Sequence, residues 1–236
     1  YCPMRGGDDA NPDRPGAGRA AVAGAPPRQA GGGAGGHAAG DVASQIAVDT
    51  FVEEFEGLEI RDSGEILATM GDALKRANSL IYEAGRRNEG GSMGTTCTAA
   101  VISEGKIHVA HAGDSRGYVQ RDQELSQLTE DHSWVAQLVK EGHISPEQAR
   151  VHPSRNVITR ALGIEKELVP DIITEEIQTG DTILLCSDGL HGLVEDGDIN
   201  ETLDDLAIQD ALDALIRLAN DKGGDDNITA VAVAIH

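Results

Sequence analysis

Three aspartates in glycine-containing turns are the residues of this chain best suited to chemistry. Asp114 lies in AGDSR, Asp188 in CSDGL and Asp226 in GGDDNIT, each beside an apolar run. Hard divalent cations such as Mg²⁺ and Mn²⁺ prefer oxygen ligands and retain several waters, so a few such turns can build a metal site. One aspartate in such a turn is more often a hairpin or helix-cap residue. The prediction of a metal site therefore depends on all three together.

Composition excludes several classes of partner. The chain has 236 residues and a net charge of −21, so nucleic acid and anionic lipid would repel it. Cys2, Cys97 and Cys186 are widely spaced without a CxxC pair, which argues against a zinc site or a disulfide framework. Without a long apolar run, and without an apolar signal segment in residues 1–20, the sequence predicts a cytoplasmic protein.

Residues 1–34 differ from the rest of the chain. They hold most of the eight prolines and contain no Leu, Ile, Phe, Ser or Thr. Such a segment cannot bury enough apolar surface to offset its backbone entropy, so we predict disorder. An alphabet of Gly, Ala, Pro and Arg is also typical of GC-rich DNA read out of frame. A replaced or frame-shifted segment is therefore a second hypothesis.

Residues beyond Asp41 show regular periodicity. Apolar residues at three- and four-residue steps predict a helix from Asp41 and a second over Ser63–Arg86, with Ser63 as N-cap. Strands are predicted at Thr96–Ser103, Lys106–Ala112, Gly117–Arg121, Val169–Ile177, Thr182–Cys186 and Ile228–Ile235. Further helices are predicted at Ser133–Glu141, Pro146–Arg150 and Gln209–Asp221. Two early helices followed by mostly antiparallel strands predict an α+β layered domain.

The motifs as a set carry a family resemblance. With GGHAAG at Gly35–Gly40 and GSMGTT ending at Thr96, the three aspartates resemble the metal-dependent protein serine/threonine phosphatases of type 2C, the PPM family, in their bacterial form. The resemblance covers about residues 35–236 and leaves 1–34 unmatched. It implies a four-layer α-β-β-α sandwich of antiparallel sheets flanked by helices, with its first strands missing or replaced.

The resemblance also assigns roles to residues. It implies that Asp188 and Asp226 bind a binuclear Mg²⁺ or Mn²⁺ centre, and that Asp114 binds a third, weaker metal. The metals would activate water to hydrolyse phosphoserine and phosphothreonine in proteins. His37 matches the general acid, a role that its ordinary pKa of about 6.5 suits. The implied partners are phosphoproteins, including a serine/threonine kinase, and the implied state is a monomer.

One departure from the family pattern concerns the metals. The bridging aspartate of the family aligns with Gly32, which has no carboxylate, although the backbone carbonyl of Gly33 could still bind metal. Two dications about 4 Å apart repel by about 16 kcal/mol at an effective dielectric constant of about 20. Without a bridging carboxylate, we expect a weakly bound second metal and little phosphatase activity. The alternative is a non-catalytic phosphatase-like binding module. An acidic calcium-binding protein is a third hypothesis, but the sequence contains no EF-hand loop.

The segment from Asp131 to Arg160 resembles the family's flap. We predict that Trp134 is a packing residue. His132, His143 and His152 are interpreted as ordinary surface or loop histidines.

Overall fold

The computed structural model describes residues 19–23, 37–56, 62–87, 91–224 and 226–236. The predictions for Gly32 and Gly33, and the frame-shift hypothesis for most of the first 34 residues, lie outside the described residues. The division of the chain at residues 34 and 35 stays a prediction.

Two long helices form one outer layer. Helix α1 spans His37–Phe55 and α2 spans Ser63–Arg87. The predicted N-cap of α2 is wrong by one residue, because the Asp62 carboxylate accepts the Glu65 N–H at 2.9 Å and Ser63 is already helical. An aspartate at this place satisfies an N–H group that has no partner within the helix.

In the part of the chain that the structure describes, eight strands form two antiparallel sheets. Their bounds are β1 Arg19–Ala23, β2 Cys97–Ser103, β3 Lys106–Ala112, β4 Arg116–Arg121, β5 Glu124–Gln127, β6 Asp171–Glu176, β7 Thr182–Cys186 and β8 Ala230–Ala234. The first sheet has the order β1-β2-β3-β6 and the second the order β5-β4-β7-β8. The predicted hairpin at Glu104–Gly105 is confirmed, with φ of 50° and 71° at these residues.

Strand β1 corrects one prediction. Arg19–Ala23 pair with β2, from Arg19 opposite Ile102 to Ala23 opposite Thr98, so they are not disordered as their composition predicts. Backbone pairing along a neighbouring strand needs no large apolar side chains. The first sheet therefore has an edge strand where the sequence predicts a missing or replaced one.

The remaining helices lie in the second half of the chain. Their bounds are α3 Trp134–Lys140, α4 Pro146–Arg150, α5 Asp188–His191, α6 Asp196–Asp205 and α7 Ile208–Asp221. Helix α4 begins at its predicted residue, and α3 begins one residue after its predicted start. Ser133 and Ser145 are the N-caps and accept N–H groups of the first turn. Within the ranges given above, no helix is long and apolar enough to cross a membrane.

Three apolar clusters define the layers. One lies between α1, α2 and the first sheet and includes Phe51, Ile81 and Ala110. A second, with Ile107 and Ile183, lies between the sheets. The third packs α5, α6 and α7 on the second sheet; its members include Leu184, Leu190, Ile199 and Leu215. The four-layer α-β-β-α sandwich is therefore confirmed, and the turns that carry the three aspartates lie at strand ends.

Candidate metal centre

Asp114 lies in the tight turn between β3 and β4. Gly113 precedes it with φ of 127°, and a Cβ there would lie 2.4 Å from Thr96 Cγ2. Only glycine fits both the conformation and the space. The side-chain oxygens of Thr96 and Ser115 lie 2.8 Å apart, so the GSMGTT segment supports this turn.

The turns that carry Asp188 and Asp226 are bonded to each other. Ser187 Oγ donates to Asn227 O at 2.9 Å and accepts the Thr229 N–H at 3.0 Å. A Cβ on Gly189 would lie 2.4 Å from Asn227 O, so glycine is required for this close approach. These contacts fix Asp188, the first residue of α5, beside the turn that precedes β8.

His191 joins the first turn to the other two. Its Nε2 lies 2.9 Å from Asp114 O. Burial and the nearby Arg116 guanidinium lower the pKa of His191 to about 4. The imidazole is therefore neutral at physiological pH, and its Nε2–H donates to the Asp114 carbonyl. The structure thus brings the three predicted turns together through backbone and neutral side chains.

A cavity of about 590 Å³ opens between the turns that carry Asp114 and Asp188 and helices α3 and α4. Asp114 and Asp188 both line it, and Glu130, Asp131 and Asp196 add three further carboxylates. Asp226 is half-buried and does not line this cavity; its Oδ1 accepts the Asn227 N–H at 2.7 Å. The structure therefore places two of the three predicted aspartates in one cavity and the third in the turn bonded to it.

The electrostatics of the cavity favour a cation. Asp114 is 8% exposed, and burial together with the charges of Asp188 and Asp131 raises the pKa of Asp114 to about 8. Asp131 differs. Burial opposes its ionisation, but three hydrogen bonds from Arg116 and the charge of that guanidinium hold the pKa of Asp131 below its ordinary value. A divalent cation beside Asp114 would restore the ionised carboxylate.

The donor set fits a hard cation in its chemistry. Carboxylate oxygens are the ligands that Mg²⁺ and Mn²⁺ prefer. Among the residues that the structure describes, however, no group of three or more His, Cys, Asp or Glu side chains is arranged to hold a metal ion. Gly33 lies outside the described ranges, and α1 begins at His37, whose side chain is not described. The cavity therefore brings together two carboxylates, Asp114 and Asp188, of the chemical kind that binds such a cation.

Sequence reasoning missed several residues around the cavity. His132 lies in the loop between β5 and α3, but it is 7% exposed and bonded on both ring nitrogens, so it is not a surface histidine. Trp134 is 44% exposed and is not a core packing residue. The largely buried Arg116–Asp131 ion pair and His191 also went unnoticed. An arginine next to a candidate ligand aspartate was the one available signal for the ion pair.

Comparisons with known proteins bear on this arrangement. Residues 30–231 match the model of a family described as protein phosphatase 2C. The serine/threonine phosphatase stp of Listeria monocytogenes serotype 4b is 39% identical over 196 residues, which cover 81% of this chain and 77% of that protein.

Two solved structures are also similar. The Mycobacterium tuberculosis serine/threonine phosphatase PstP/Ppp superposes with a TM-score of 0.79 at 36% identity, covering 93% of this chain and 99% of that one. A catalytic domain of the serine/threonine protein phosphatase PstP in complex with two manganese ions gives a TM-score of 0.76 at 34% identity, with the same shares covered.

Proposed function

This chain belongs to the protein phosphatase 2C family, and we propose that Asp114, Asp188 and Asp226 bind the divalent metal of its active site. The chain is a serine/threonine protein phosphatase, a hydrolase that acts on phosphoproteins and depends on divalent metal. The reaction class follows from the family, whereas the ligand assignment is inferred from this chain's own residues.

One observation carries the ligand assignment. Asp114 and Asp188 face the same cavity, and the charge of Asp188 contributes to the raised pKa of Asp114. Two carboxylates that disfavour each other's ionisation are stable together when a cation lies between them. The turn with Asp226 is hydrogen-bonded to the turn with Asp188 and supplies the third carboxylate.

The metal, when bound, lowers the pKa of a water molecule and neutralises charge on the phosphoryl oxygens. Asp188 and Asp226 hold it, with the backbone carbonyl of Gly33 as a further ligand, and Asp114 holds an additional, weaker ion. His37 donates a proton to the seryl or threonyl oxygen as it leaves. Asp131, kept ionised by Arg116, adds negative charge beside Asp114 and so strengthens its demand for a cation.

Further expectations follow from the family. We expect two ions, Mg²⁺ or Mn²⁺, with a third at Asp114. The expected substrates are phosphoproteins that include a serine/threonine kinase, and the expected state is a cytoplasmic monomer. No observation favours the non-catalytic alternative suggested by Gly32, since the relatives are phosphatases by name.

The test measures dephosphorylation of a phosphothreonine peptide with Mn²⁺, with and without EDTA, together with Mn²⁺ binding by isothermal titration calorimetry. We expect Asp188→Ala combined with Asp226→Ala to remove Mn²⁺ binding and turnover. Asp213→Ala, which removes an exposed carboxylate on α7, is the matched control and should behave as the wild type.

Two results would contradict the proposal in different ways. Wild-type Mn²⁺ affinity in the double variant would show that the ligands are elsewhere. Mn²⁺ binding without any turnover by the wild-type chain would favour the non-catalytic alternative.

A further inference from the structure

His132 lies where the turn before Asp114, strand β6 and the segment before β6 meet. Its ring Nδ1 accepts the Gly113 N–H at 3.0 Å, and the backbone N–H of His132 donates to Gly113 O at 2.8 Å. Both backbone groups of Gly113 are thus bonded to this one residue. The Thr159 N–H donates to His132 O at 2.8 Å, which ties the same residue to the end of the flap.

The hydrogen bond from Gly113 determines the tautomer of His132. A backbone N–H can only donate, so Nδ1 carries no proton and a neutral ring must carry its proton on Nε2. Nε2 lies 3.0 Å from Asp171 Oδ2 and donates to it. Arg160 Nη1 also lies 3.0 Å from Nε2, but both nitrogens are donors and do not bond to each other. Both donate to the Asp171 carboxylate instead. Asp171 therefore fixes the orientation of the ring.

Other contacts agree with a neutral ring. Burial lowers the pKa of His132, although the hydrogen bond to Asp171 opposes that shift. The His111 ring lies against it, with centroids 4.7 Å apart, and burial lowers the pKa of His111 to about 4.

We propose that His132 is a positioning residue for metal binding, which holds the Gly113–Asp114 peptide so that the Asp114 carboxylate faces the cavity. This inference rests on the proposed role of Asp114 as a metal ligand. Gly113 has φ of 127°, a conformation with no helix or strand partners to maintain it. The two hydrogen bonds from His132 replace those partners. Asp171 acts one step further away, by holding the ring.

Two amide variants of His132 separate this role from simple space filling. Asparagine places its Oδ1 where Nδ1 lies and can still accept from Gly113. Glutamine reaches the position of Nε2 instead and has no acceptor near Gly113. Both are polar and of similar volume, so the position of the acceptor is the main difference between them.

The first readout is hydrogen exchange of the Gly113 amide in metal-free protein by NMR. We expect at least tenfold faster exchange in His132→Gln and a change of less than threefold in His132→Asn. The amide of Ile107, which lies in β3 of the first sheet, serves as the internal reference for global unfolding. The second readout is the affinity for the weaker Mn²⁺ ion, the one assigned to Asp114, by calorimetry. We expect this affinity to be at least tenfold lower in His132→Gln and near wild type in His132→Asn.

Asp114→Asn completes the design. If it weakens Mn²⁺ binding while His132→Gln does not, Asp114 is a ligand and the positioning role of His132 is refuted. If Asp114→Asn leaves Mn²⁺ binding unchanged, the proposed ligand assignment fails, and this inference fails with it. Unchanged Gly113 exchange in His132→Gln also refutes the inference.

If neither His132 variant folds, Asp171→Ala tests the same chain of contacts. We expect at least threefold faster Gly113 exchange and weaker Mn²⁺ binding in that variant. Wild-type values for both would overturn the inference.

Discussion

Gly189→Ala should separate the two turns that carry Asp188 and Asp226. A Cβ on Gly189 would lie 2.4 Å from Asn227 O and 2.9 Å from Asn227 C, whereas ordinary contact begins at 3.4 Å. The obstacle is backbone, which cannot rotate away as a flexible side chain would. The turns must therefore move apart by about 1 Å, the difference between 3.4 and 2.4 Å.

The expected effect on catalysis is larger than the effect on stability. A misplacement of about 1 Å in a catalytic arrangement costs roughly 10²-fold in rate. Overpacking of this kind costs about 1–3 kcal/mol of unfolding free energy, which a domain of ordinary stability tolerates. We therefore expect a folded Gly189→Ala variant with kcat/KM reduced roughly 10²-fold and with weaker Mn²⁺ binding.

The assay compares Mn²⁺-dependent turnover of a phosphothreonine peptide well below the melting temperature of each variant, with circular dichroism to verify folding. Gly197→Ala is the matched control, because Gly197 is exposed and a Cβ there meets nothing within 4 Å. That control should keep wild-type turnover. A folded Gly189→Ala variant with kcat/KM within threefold of wild type would refute the argument that this contact positions the two aspartates.

Three further predictions concern charge. The pKa of Asp114 is raised from 3.8 to about 8, so its ionisation lowers the free energy of unfolding as pH rises between these values. In EDTA, Asp114→Asn should therefore raise the free energy of unfolding in urea by roughly 2–5 kcal/mol at pH 8.5 and by little at pH 4. Equal gains at the two pH values would contradict this. Arg116→Met leaves the largely buried Asp131 charge without its ion-pair partner and should lower the free energy of unfolding by about 3–5 kcal/mol. Adding Asp131→Asn should restore part of that loss. Strictly additive losses of the two variants in thermal unfolding would exclude a coupling between the two residues. Gly32→Asp should supply the family's bridging carboxylate and raise both turnover and the number of Mn²⁺ ions bound, whereas the control Gly31→Asp should change neither. The peptide assay measures turnover, and calorimetry measures the number of ions.

The sequence predicted elements wherever periodicity was long or turn chemistry was distinct. Helix α2 has 25 residues and a clear apolar face, and the hairpin at Glu104–Gly105 has a glycine with positive φ. The hairpin at Asp122–Gln123 was missed because two non-glycine residues adopt positive φ there. Helix α5 was missed because four residues cannot show a helical period.

The residues of the site also fall into those that the sequence predicts and those that it does not, and the histidines show the reason. The aspartates were recognisable because each lies in its own glycine turn, which is local information. The bonds from His132 to Gly113 and from His191 to Asp114 join residues 19 and 77 positions apart, which no local pattern contains. Carboxylates gathered in one cavity repel, as the raised pKa of Asp114 indicates, so the fold must hold their turns together without neutralising them. Neutral histidines bonded to backbone atoms meet that requirement, because neither bond uses an oxygen of the Asp114 carboxylate that a cation would need.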